Sequence, residues 1–117
     1  MPAYLSGMMW KPLQSVEDLD AAVAASFNQP MVLFKHSTRC AVSSMAKRSF
    51  EALWDASSGA ESYLVDLLKF RSVSDAIAKQ FDVRHESPQM IVVSRGVVQF
   101  HASHSAITAT HPSIYGE

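Results

Sequence analysis

A cysteine that is alone in its chain, between an apolar run and a helical stretch, is placed for nucleophilic sulfur chemistry. Cys40 follows Met31-Val32-Leu33-Phe34 and precedes strong helical periodicity from Val42 onward. At such a junction the free N–H groups of the first helical turn and the positive end of the helix dipole stabilise a thiolate, which is the nucleophilic form. The local sequence Phe34-Lys35-His36-Ser37-Thr38-Arg39-Cys40-Ala41-Val42-Ser43 reads Cys-x-x-Ser where a dithiol protein has Cys-x-x-Cys. A dithiol expels its bound substrate by internal attack, whereas a monothiol stops at the mixed disulfide until an outside thiol attacks it. Monothiol exchange is therefore the natural chemistry. Arg39 can add positive charge beside the sulfur, His36 can add more when protonated, and the Ser43 hydroxyl can hydrogen-bond to the thiolate. The competing reading is an inert cysteine, a small buried hydrophobe at a helix start.

A second constellation is His85-Glu86-Ser87-Pro88-Gln89, which sets a proline directly before a run of strand formers. By itself this reads as a trans-proline opening a strand. In a fold that brings it beside the sulfur, Pro88 is expected to be cis and the Ser87 backbone free to pair with an extended substrate. Five histidines invite a metal hypothesis through His101, His104 and Cys40, but their spacing fits no compact zinc signature, so no metal is expected. The four glycines are not clustered, which excludes a phosphate-cradling loop. Asp66 and Glu86 read as solvated carboxylates. Trp10, Phe50 and Trp54 read as packing residues, with Trp10 over the first helix.

The elements that must position these groups follow from periodicity. Val16, Leu19, Val23 and Phe27 share one face of an amphipathic helix over about Val16 to Phe27, capped by Ser15. Asn28-Gln29-Pro30 stops it, and Met31 to Phe34 reads as a strand covered on both faces. Val42, Met45, Ala46, Phe50, Leu53 and Trp54 predict a helix of about four turns, ended by Ala56-Ser57-Ser58-Gly59. A second covered strand runs from Ser62 to Leu67, followed by a helix carrying Val73, Ala76, Ile77 and Phe81 on one face. Gln89 to Val93 and Val97 to Phe100, separated by Ser94-Arg95-Gly96, predict an antiparallel hairpin. The tail, Ala106 to Glu117, reads as a short helix interrupted by Pro112.

This order is that of an α/β, thioredoxin-like domain: a central mixed four-stranded sheet flanked by helices, with an extra N-terminal helix. A reactive residue just after the first core strand is where such sheets place their chemistry. The 117 residues, 48% of them hydrophobic, suit one domain over residues 1–117. A net charge of −1 with both signs scattered points to neither a nucleic-acid partner nor a membrane surface. No run approaches a membrane span, the start Met1-Pro2-Ala3-Tyr4 lacks a leader pattern, and a free thiol persists in a reducing compartment. A cytoplasmic protein is expected.

At these residues the chain resembles the monothiol bacilliredoxins, thioredoxin-like proteins of the bacillithiol system. The resemblance runs from about Trp10 to Thr108. It rests on Phe34-Lys35-His36-Ser37 leading into Thr38-Arg39-Cys40, on His85-Glu86-Ser87-Pro88-Gln89, and on Ala102-Ser103-His104 followed by Ile107-Thr108. It implies that Cys40 is the redox-active residue, that the Cys-x-x-Ser pattern is genuine, and that bacillithiol is a co-substrate rather than a bound cofactor. The implied partners are bacillithiolated client proteins docked by Thr38, Ser87 and Pro88, with the chain a monomer or weak dimer. One position departs from the family: Ala41 stands where a proline usually follows the active cysteine. Two other classes compete, a carrier module in which Cys40 ligates an iron–sulfur cluster with a partner thiol, and a non-enzymatic interaction domain.

Overall fold

The computed structural model describes residues 8–116, so the opening Met1 to Tyr4 and Glu117, the last residue of the expected tail helix, lie outside the described residues. In chain order the elements are β1 (Lys11–Pro12), α1 (Val16–Ala25), β2 (Met31–His36), α2 (Ala41–Leu53), β3 (Glu61–Asp66), α3 (Arg71–Phe81), β4 (Gln89–Ser94) and β5 (Val97–Ser103). The strands form one sheet in the order β1-β3-β2-β4-β5. β1, β3 and β2 run parallel, and β4 and β5 are antiparallel additions on the far side of β2.

The mixed sheet flanked by helices is the expected architecture with one strand more than the four predicted. β1 is only Lys11–Pro12, paired with Tyr63 and Leu64 at the sheet edge. A proline has no N–H to give a ladder, and an edge is where a strand tolerates it. Two residues carry no readable alternation, which is why periodicity misses them.

Side chains of β2 alternate between two cores. Met31 and Leu33 pack with Leu19 and Ala22 of α1 and Val73 and Ile77 of α3. Val32 and Phe34 pack with Phe50 of α2, Trp54, Met90 and Val92. Trp10 belongs to this second core: its ring lies edge-on to Phe34 at 5.5 Å and tilted over Phe50 at 5.7 Å, and its indole N–H donates to Glu51 of α2 at 2.6 Å. It therefore covers α2 and not, as expected, the first helix.

Helix ends and faces also differ from the sequence pattern. Ser15 caps α1 by accepting the Asp18 N–H at 3.0 Å, as expected, but α1 ends at Ala25, leaving Phe27 exposed outside it. Val16 is exposed too, and the buried positions are Leu19 and Ala22. On α2, Val42, Met45 and Leu53 face solvent while Ser43 and Phe50 are buried, so the inward face is rotated toward Ser43 relative to the apolar stripe. The hairpin turn is two residues, Arg95 (φ 53°) and Gly96 (φ 75°), whose paired positive φ values match the twist of the strands. The tail forms two short 3-10 turns, His104–Ala106 and Pro112–Tyr115. Pro112 opens the second turn and does not interrupt a helix, because its missing N–H falls on a position that needs no partner.

Candidate active site

β2 runs at the centre of the sheet and delivers the chain at its carboxyl end into the Ser37–Arg39 turn and then α2. Cys40 is the residue that starts α2, with extended backbone (φ −109°, ψ 119°) and a partly exposed side chain. Its carbonyl accepts the Ser44 N–H at 3.0 Å, and its N–H donates to the Ser37 carbonyl at 3.2 Å. These two bonds fix the sulfur-bearing carbon at the helix N-terminus, where the N–H groups of the first turn have no helical partner. A thiolate there lies at the positive end of the dipole.

His36 and Ser43, both read from the sequence as partners of the sulfur, are hydrogen-bonded to each other. His36 Nδ1 lies 2.7 Å from Ser43 Oγ, and the same oxygen accepts the Ser37 N–H at 3.0 Å. Both side chains are buried on the α2 face. Burial first, and then the Lys47 ammonium, hold His36 below its ordinary value of 6.5, against the opposing pull of Asp66 and Glu51. The protonated His36 that could add charge beside the sulfur is therefore disfavoured. The pair ties the strand, the turn before the cysteine and the third residue of α2 into one unit.

Arg39 and Thr38 are exposed and line a cavity of about 430 Å³ with Asp66, Leu68 and Lys69, beside the turn that leads to the sulfur. Asp66 also accepts the Leu68 N–H at 3.2 Å, within its own turn, and Glu86 accepts from the Ser103 hydroxyl at 2.9 Å, which ties the proline loop to the end of β5. Among the described residues no group of three His, Cys, Asp or Glu side chains is arranged to hold a metal. His101 is exposed, and His104 lines a second, apolar cavity of about 320 Å³ with Val42, Met45, Ala46 and Ile107 along α2.

The antiparallel register pairs Lys35 with Gln89, which brings the start of β4 to the end of β2 that carries the Cys40 turn. Ser87 and Pro88 are thereby presented at the same sheet end. The Ser87–Pro88 peptide is cis, and the Pro88 carbonyl accepts the His104 N–H at 3.1 Å. Among the described residues neither the N–H nor the carbonyl of Ser87 has a backbone partner, and its hydroxyl is shielded from solvent without one.

Sequence reasoning passed over the groups beneath this loop. Lys35 is fully buried on the face of β2 opposite His36, and its Nζ donates to the Ser74 carbonyl of α3 at 3.1 Å and to His85 Nδ1 at 3.2 Å. Burial lowers its pKa to about 8, opposed by Asp75. A lysine at a strand end normally reads as solvated, so composition carries no sign of this. The one available signal was its place in alternation with Met31 and Leu33.

Comparison with solved structures bears out the fold. A thioredoxin-fold protein with a proposed oxidoreductase role is 25% identical, with a TM-score of 0.77 over 91% of this chain and 92% of that one. Mitochondrial thioredoxin 3 from Saccharomyces cerevisiae, in its oxidised form, is 17% identical, with a TM-score of 0.70 over 98% and 99% of the two chains. Thioredoxin from Malassezia sympodialis is 16% identical, with a TM-score of 0.69 over 92% and 90%. The protein thus falls in the class of thioredoxin-fold proteins, and its lone cysteine makes it a monothiol member of that class. The family model for the monothiol bacilliredoxin BrxC matches residues 11–111, and the chain belongs to that family. Fold and family together give it a thiol redox role, with proteins or thiols as its substrates.

Proposed function

We propose that this protein is a monothiol thiol–disulfide oxidoreductase that removes bacillithiol from protein mixed disulfides through Cys40. The observation that carries the reading is the position of the lone cysteine at the head of α2, partly exposed and held by its own backbone bonds. The Cys40 thiolate attacks the bacillithiol sulfur of the mixed disulfide. The old S–S bond breaks, the client sulfur leaves and is protonated to a thiol, and bacillithiol is now bonded to Cys40. A free bacillithiol thiolate then attacks the bacillithiol sulfur of that adduct, releasing bacillithiol disulfide and restoring the Cys40 thiolate. No second cysteine exists to short-circuit the adduct.

Arg39 and the helix N-terminus favour the thiolate, and the His36–Ser43 pair holds the turn that aims it. Ser87, whose backbone groups have no backbone partner among the described residues, offers an extended client segment a short strand-like pairing, with Pro88 and Thr38 flanking it. A reducing cytoplasm is the compartment this chemistry needs. The test is intact-protein mass spectrometry after mixing reduced protein with a bacillithiolated client, with Cys40→Ala as control. A bacillithiol adduct on Cys40 with release of the client thiol is the expected result. An unmodified Cys40 that also ignores small disulfides would sink the proposal.

A further inference from the structure

We propose that Lys35 is a positioning residue: through His85 it clamps the Arg84–Pro88 loop that presents Ser87 to substrate, and protonation of His85 opens the clamp. The role of that loop as a substrate dock rests on the function proposed above; the clamp itself rests on geometry.

An ammonium has no lone pair, so the 3.2 Å contact between Lys35 Nζ and His85 Nδ1 requires Nδ1 to accept, which fixes the imidazole as the Nε2–H tautomer. Ser74 Oγ, 3.3 Å from the same nitrogen, reinforces the arrangement. Gln89, fully buried and directly across from Lys35 in the β2–β4 register, donates from Nε2 to the Arg84 carbonyl at 2.9 Å. Two cross-strand neighbours therefore grip the start of the loop, one at the backbone of Arg84 and one at the side chain of His85. One of them, Lys35, lies on the strand that continues into the Cys40 turn. The two loops that must meet a substrate together are thus tied to one strand end.

Among the described residues Lys35 has no carboxylate partner within hydrogen-bond reach, although a buried charge is costly unless paired. A methionine would fill the same space without that cost. The lysine is therefore suited to a role other than stability, and its two bonds name that role. Protonating His85 converts Nδ1 from acceptor to donor and sets two cations at the contact, which breaks it. The groups facing His85 are Lys35 from β2, Arg71 and Asp75 from α3, and Glu86 from its own loop. Burial, then Lys35 and Arg71, hold its pKa below 6.5, against Asp75 and Glu86. The clamp is closed near neutrality and opens on acidification.

The experiment compares wild type with Lys35→Met, His85→Gln and His85→Ala in three measurements: hydrogen exchange of the amides of residues 84–87, alkylation of Cys40 by iodoacetamide, and turnover of a bacillithiolated peptide. In Lys35→Met, loop exchange and the KM for the peptide are expected to rise roughly tenfold, the equivalent of one lost hydrogen bond to a charged group, with kcat and alkylation rate little changed. His85→Gln keeps an acceptor without a titrating group. It should hold KM nearer wild type than His85→Ala does, and should remove the acid-side acceleration of loop exchange. Unchanged exchange in Lys35→Met overturns the clamp whatever the activity shows. A parallel fall in alkylation overturns it too, because Lys35 would then act on the sulfur. A wild type that exchanges as expected but does not turn over the peptide refutes the function and leaves the clamp standing.

Discussion

Two loops converge on the same end of the sheet, and each is held by a histidine, the buried His36 and the half-buried His85, bonded to a different kind of partner. The cysteine loop is held by His36 and a hydroxyl, Ser43, seven residues along the same β–α unit. The proline loop is held by His85 and a cation, Lys35, fifty residues away on another strand. Both histidines are kept below 6.5 first by burial, with a lysine as the next contributor, Lys47 for His36 and Lys35 for His85. The difference lies in the answer to a proton. A serine hydroxyl can reverse its bond and accept from a protonated imidazole, so the cysteine loop keeps its contact. An ammonium has nothing to accept with, so the proline loop loses its bond to Lys35, and His85 keeps only the longer contact to Ser74 Oγ at 3.3 Å. One loop is locked by local sequence, and the other by a tertiary contact that protons can break.

The largest expected effect removes what both loops serve: Cys40→Ser abolishes exchange altogether, read as the absence of any adduct or client thiol release. Ser43→Ala comes next. It strands the Ser37 N–H and His36 Nδ1 inside the protein and should cost about 1–3 kcal/mol of stability in denaturant unfolding. Ser74→Ala should cost less, because Lys35 bonds the Ser74 backbone carbonyl, which alanine retains.

Acid should weaken the fold by an amount that the two histidines share. Their folded pKa values lie below 6.5, so the unfolded chain binds more protons in that window. The stability they contribute is complete above 6.5 and is lost as pH falls from 6.5 through the folded values. Unfolding midpoints taken across this window should fall in wild type and fall less in His85→Gln.

Lys35→Met sharpens the contrast from the alkaline side. The lysine titrates at about 8 in the folded protein and 10.5 unfolded, so its burial penalty is complete below about 8 and fades as pH rises toward 10.5. The methionine variant should be at least as stable as wild type below pH 8, with its relative advantage shrinking above. Marked destabilisation at neutral pH would show that the lysine is there for stability. The smallest effect belongs to Ala41→Pro. Ala41 is the exposed first residue of α2, where a proline is pre-organised, so a stability gain of under about 1 kcal/mol is expected by thermal unfolding.

Local pattern made most of the elements legible. The apolar run Met31 to Phe34, the hairpin signal at Arg95-Gly96, the Ser15 cap and the helix after Cys40 each depend on neighbours a few residues away, so a single sequence contains them. The position of Cys40 at a helix start was readable for the same reason. What failed were choices among equivalent local patterns. Val42, Met45 and Leu53 make as good an apolar stripe as the face that is buried, and only packing against Phe34 and the sheet turned Ser43 inward. Trp10 had no periodic context, and its partner Glu51 is forty-one residues distant.

By itself, then, the sequence determined the class of fold and the candidate reactive group: a lone thiol at a helix N-terminus after a covered strand, with no second cysteine beside it. The tertiary structure decided which polar groups serve it. His36 and Ser43 were brought together in one hydrogen bond, and Lys35, unremarkable in the chain, was carried into the interior against His85. Backbone elements follow from short-range steric and hydrogen-bonding preferences. The pairing of buried polar groups follows from strand register and helix packing, and it exists only once the chain has closed around them.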